Sequence, residues 1–90
     1  MAIQGKNALT PGQSADWLAE RMSAVGISSL EELAKATGID RGTLSRYFRQ
    51  ERRPSIDVIA PLCEALQVSP ESLLIGLGAL KKKKWFTTDL

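Results

Sequence analysis

Signals that open and close helices follow one another closely along this chain. They leave room for short helices joined by tight turns and for little else. Thr10-Pro11 reads as a cap followed by proline in the first helical turn, where a missing N–H costs nothing; Ser14 is an alternative start. Gly26 stops that helix. Ser29-Leu30-Glu31-Glu32 fits a capping box, with Ser at the cap and Glu three residues on, and Gly38 ends the second helix in a position suited to left-handed backbone. Asp40 caps a third helix, Ser55 a fourth, and Ser69-Pro70-Glu71 repeats the cap-plus-proline signal for a fifth. Apolar residues recur at helical spacing between these marks: Ala15, Leu18, Met22 and Val25; Leu30, Leu33 and Ala34; Ile56, Ile59, Leu62, Cys63 and Leu66; Leu73, Leu74 and Leu77. Ile39 is apolar within a turn and is expected to plug the corner between two helices. No segment reads as a strand, so the fold class is all-α. Pro61 falls inside the fourth helical pattern, where it predicts either a kink or a helix that begins late.

A chain of 90 residues makes one small domain, and 43% hydrophobic content is too high for a disordered one. The expected layout is a loose arm over 1–9, a helical domain over 10–80 and a basic tail over 81–90. One cysteine, Cys63, rules out an internal disulfide, and it falls on a core stripe. With no histidine, a Cys/His zinc site cannot form and the usual imidazole base is missing. No metal and no cofactor are expected. The vicinal Glu31-Glu32 pair faces solvent with no pocket-forming segment around it, so no enzymatic activity is expected either. No apolar run reaches the ~18 residues of a membrane span, and the first residues lack a secretory pattern. The expected location is cytoplasmic.

The net charge of +2 hides a division along the chain. Residues 41–53 hold five arginines against Glu51, a local +4, and Lys81 to Lys84 add another +4. The rest of the chain is acidic. Positive charge gathered into two short segments suits local contact with a polyanion. On a wheel of ~100° per residue, Arg41, Gly42, Ser45, Arg46 and Arg49 fall within one arc of about 140°. Thr43, Leu44, Tyr47 and Phe48 fill the complementary arc. The third helix is therefore expected to pack by an aromatic side and present guanidinium groups on the other. Trp17 lies at the edge of the first helix's stripe and is expected to pack.

Ser29 to Ser55 thus holds a short amphipathic helix, a Gly-containing turn and a second helix with an arginine face. In a helix-turn-helix, the second helix enters the DNA major groove. The match becomes specific in Glu32-Leu33-Ala34, Gly38-Ile39, Thr43-Leu44-Ser45-Arg46-Tyr47, Arg52-Arg53-Pro54-Ser55 and Ala65-Leu66-Gln67-Val68-Ser69. Over about residues 14–75 the chain resembles the lambda-repressor-like, or Xre, helix-turn-helix family.

The resemblance implies a compact five-helix DNA-binding domain acting as a transcriptional regulator, usually a repressor and usually a homodimer on double-stranded DNA. It matches base-reading positions to Arg41, Gly42, Thr43, Ser45, Arg46 and Arg49, and phosphate positions to Ser29, Leu30, Arg52 and Arg53. Three residues depart from the family pattern. Leu30 stands where Gln is frequent, so that contact is lost or passes to Ser29. Gln50 stands where Gly is common after the reading helix, and Pro61 is unusual in the fourth. The dimer surface is expected on the fifth helix and beyond, through Leu74, Leu77, Leu80 and Trp85. Lys81, Lys82, Lys83 and Lys84 read as a solvated tail, as a phosphate-contacting extension, or, with Trp85-Phe86, as a docking element for a protein partner. The last option belongs to a second functional reading, an antitoxin-type module whose DNA domain also docks a protein.

Overall fold

A computed structural model of the chain describes residues 8–81. Most of the expected arm and all of the tail after Lys81, including Lys82, Lys83, Lys84 and Trp85, lie outside the described residues. Five α-helices follow in order: α1 (Pro11–Val25), α2 (Leu30–Thr37), α3 (Arg41–Phe48), α4 (Ile59–Leu66) and α5 (Pro70–Gly76). A single turn of 3-10 helix, Ile56–Val58, precedes α4. Among the described residues there is no strand.

The start signals explain where most of these helices begin. Thr10 accepts from the Gln13 amide while the Gln13 side chain accepts from the Thr10 amide, 3.2 and 2.9 Å, which is a complete capping box. Asp40 and Ser69 cap α3 and α5 through the amides of Thr43 and Ser72, both at 3.1 Å. Ser29 caps α2 through the Glu32 amide, as expected. The reciprocal bond is displaced by one residue, because the Glu32 carboxylate accepts from the amide and hydroxyl of Ser28, at 2.6 and 2.8 Å, rather than from Ser29.

The stops share one device. Each helix is followed by a residue in left-handed backbone: Gly26 (φ 81), Gly38 (φ 75), Gln50 (φ 61), Gln67 (φ 58) and Gly78 (φ 75). That conformation folds the chain back so that following amides reach the helix's last carbonyls. After α1, the Ile27 amide bonds the Met22 carbonyl and the Gly26 amide that of Ser23, at 2.9 and 3.2 Å. After α3, Glu51 bonds Arg46 and Gln50 bonds Tyr47 in the same pattern, at 2.9 and 3.1 Å. Two of the five stops are glutamines, which bear a Cβ where glycine carries no steric penalty.

The core is a single cluster: Leu18, Leu33, Ile39, Leu44, Tyr47, Phe48, Leu62, Leu66, Leu73 and Leu77. Ile39 fills the corner between α2 and α3, as expected. Trp17 stacks on Phe48 with ring centroids 6.1 Å apart and planes 12° from parallel. Its indole also lies over Gly76, where a Cβ would collide with it. Gly76 is thus a packing residue within α5, and Gly78 is the stop.

Four sequence expectations need correction. Ile56, expected on the core stripe of the fourth helix, is 85% exposed, because α4 does not begin until Ile59. Ser55 makes no side-chain capping bond and opens only the 3-10 turn. The late start resolves Pro61, which becomes the third residue of α4; its missing amide is one of the four that no helix uses internally. Ala15 is exposed, and its expected inward place goes to Ser14, which is fully buried. Leu77 is also fully buried, so it is not available to a dimer surface, whereas Leu74 and Leu80 are half-buried.

Candidate nucleic-acid interface

The α3 helix is divided lengthwise. Leu44, Tyr47 and Phe48 are buried, and burying side chains of this size contributes roughly 1.5–3 kcal/mol each. They hold α3 against α2 and against the Trp17 side of α1. Arg41, Arg46 and Arg49 are exposed on the opposite side, with Gly42 and Ser45 half-buried between them. These five residues and Leu30, at the first turn of α2, line one shallow groove. The arc drawn from helical spacing is therefore a continuous surface. Thr43 is half-buried on the flank of α3, and its amide is taken by the Asp40 carboxylate. Gly42 keeps the groove open beside that cap: a Cβ there would stand 3.1 Å from the Asp40 carboxylate oxygen.

The expected phosphate positions flank this groove. The Ser29 hydroxyl accepts from the Glu32 amide and retains its own proton for donation. Leu30 is half-buried and packs against the core, so its side chain offers an anion nothing. Its amide is among the first four of α2, which have no partner within the helix. Arg52 is exposed. Arg53 is also exposed but has an internal role. Its guanidinium donates to the carbonyls of Leu77 and Gly78, at 2.8 and 3.4 Å, and so ties the loop after α3 to the end of α5.

Two further residues support the site, and sequence reasoning missed what they do. The Gln50 side-chain amide donates to the carbonyl of Leu9 and to the hydroxyl of Ser14, both at 2.8 Å. It thereby locks the end of α3 to the start of α1 and satisfies the buried Ser14. The departure from glycine marked the position, but nothing in the local pattern pointed to partners some 40 residues away. Arg21 Nε donates to the Leu66 carbonyl at 2.8 Å and closes the end of α4. Both Arg21 and Arg53 place cations at helix C-termini, where the helix dipole favours them.

The local electrostatics are those of an exposed surface. Arg49 pairs with Glu51 at 3.2 Å, with both side chains more than half exposed. Hydrogen bonds from Ser28 hold the Glu32 carboxyl below its ordinary value of 4.5. Burial raises the Cys63 thiol, which is half-buried against the core and stays protonated at neutral pH. No group of three His, Cys, Asp or Glu among the described residues could hold a metal ion. No single helix there is long and apolar enough to cross a membrane.

The family comparison agrees with this geometry. Residues 18–73 match the helix-turn-helix family HTH_3. An uncharacterized HTH-type transcriptional regulator of Mycobacterium tuberculosis, found in strains CDC 1551 and H37Rv, is 38% identical over 53 residues. The aligned stretch is 59% of this chain and 38% of that regulator, so the chain spans well under half of its relative's length. No solved structure matches the chain significantly. The matched residues run from the core of α1 into α5 and enclose the whole arginine-faced groove, and the chain belongs to the lambda-repressor-like helix-turn-helix family.

Proposed function

We propose that this chain is the DNA-binding part of a transcriptional regulator, acting as a repressor by occupying its operator. The carrying observation is the groove on α3, where three arginines surround two small residues on a helix anchored by its rear face. The major groove admits a helix of this width, and an arginine can bond guanine through O6 and N7 together. Arg41, Arg46 and Arg49 then discriminate bases, while Gly42, Thr43 and Ser45 allow close approach. Ser29, the Leu30 amide and Arg52 set register on the phosphates. Arg53 has five N–H donors, so its bonds to α5 leave capacity for a phosphate as well.

An eight-residue reading helix is about 12 Å long and spans only a few base pairs. A homodimer on two half-sites follows from that reach. The domain is cytoplasmic in this reading, occupies 10–80, and carries the lysine tail over 81–90 as a separate element. Selection of bound sequences from a random duplex pool tests the proposal. Enrichment of paired half-sites supports it; a pool that stays random rejects it.

A further inference from the structure

We propose that Glu51 is a positioning residue for Arg49, holding its guanidinium for one base pair and so setting specificity there. The inference rests on the DNA-reading function proposed above. The Arg49–Glu51 contact is the one ion pair among the described residues. It also stands on a built turn. Gln50 takes left-handed backbone at φ 61, and its side chain is bonded to Leu9, just before α1, and to Ser14 on α1. The Glu51 amide is bonded to the Arg46 carbonyl at 2.9 Å. The chain is thereby turned back along α3, and the Glu51 carboxylate meets Arg49 Nη2 at 3.2 Å.

The chemistry of the pair separates two effects. A free arginine carries large rotamer entropy, and a carboxylate on one side of its planar fork restricts the geometries left for a base. Five donors are present, so one bond to Glu51 leaves enough for a bidentate contact. The same carboxylate, placed beside a polyanion, opposes binding of every sequence alike. Glu51 therefore lowers general affinity while raising discrimination. A merely structural role would change neither in this pattern.

The test measures affinities of the full chain for its selected duplex, for duplexes altered at the base pair read by Arg49, and for random duplex. The wild type is compared with Glu51→Gln, Glu51→Asp and Arg49→Ala. Glu51→Gln is expected to bind random duplex more tightly yet lose about two- to fivefold in discrimination at that one pair, the range of an exposed ion pair. Glu51→Asp keeps the charge but shortens the arm, so it is expected to lose discrimination without gaining general affinity. In an Arg49→Ala background, Glu51→Gln is expected to leave discrimination unchanged. If Glu51→Gln tightens all duplexes equally and keeps discrimination intact, Glu51 only repels DNA and the proposal is overturned. A wild-type chain that prefers no sequence instead overturns the DNA-reading function itself.

Discussion

Gln50 shows how one side chain can offset the strain of its own backbone. Left-handed conformation costs an ordinary residue roughly 1–2 kcal/mol. Two hydrogen bonds to Leu9 and Ser14 are set against that cost. Gln50→Ala keeps the strain and strands the buried Ser14, so it is expected to lower stability by about 1–3 kcal/mol in urea unfolding. Gln50→Gly relieves the strain and is expected to cost less. Equal losses would show that the left-handed backbone stores no strain at this position. An unchanged stability in Gln50→Ala would show that the side-chain bonds contribute nothing. Arg46 is a different case, because among the described residues none bonds its exposed guanidinium. Arg46→Ala is expected to leave unfolding unchanged and to cost about 1–3 kcal/mol of discrimination at one base pair. Binding assays on operator variants check it, and unaltered discrimination would remove Arg46 from the base-reading set.

Helices in this chain were readable where the signal was local. Caps at Thr10, Ser29, Asp40 and Ser69 and stops at Gly26 and Gly38 depend on neighbours within a turn. The division of α3 followed from spacing alone. The start of α4 was not settled, because periodicity cannot distinguish a kinked helix at Ser55 from a late one at Ile59. The carbonyl bonds of Arg21 and Arg53 reach other helices and leave no mark in the sequence. Arg53→Ala is expected to cost about 1 kcal/mol of stability, whereas Arg52→Ala is expected to leave stability alone and lower the salt slope of DNA binding by about one. Thermal unfolding and a salt titration on both variants separate the roles. Glu32 makes the start of α2 sensitive to acid. Its pKa is lowered from 4.5 in the folded chain, so its contribution is complete above 4.5 and is lost as pH falls through the lower folded value. Glu32→Gln is expected to flatten that part of the stability curve, as followed by circular dichroism.

The described domain measures 34 × 29 × 23 Å, about one helical turn of B-DNA in its longest direction. Two copies on adjacent half-sites would present their α3 helices roughly 34–36 Å apart. With Leu77 in the core and Trp85 outside the described residues, Leu74 and Leu80 are the described apolar residues left to the expected dimer surface. Sedimentation is expected to show a mass that rises with concentration, and Leu74→Glu is expected to hold the chain as a monomer. A monomer mass at all concentrations would count against the dimer. Charge sorted by position, rather than summed, was the whole-chain property that pointed to the surface. Three of the five clustered arginines, Arg41, Arg46 and Arg49, line one groove, while the lysine run beyond Lys81 lies outside the described residues.

The lengthwise division of α3 has a consequence for descent. Among the described residues, none of the outward side chains of α3 bonds to another helix; Arg49 bonds only to its sequence neighbour Glu51. The packing that folds the domain is left to Leu44, Tyr47 and Phe48. In the proposed reading, substitutions at Arg41, Ser45, Arg46 or Arg49 are thus expected to change which operator is recognised without drawing on the domain's stability. A lineage built this way can drift to new targets one outward residue at a time while its scaffold stays as it is.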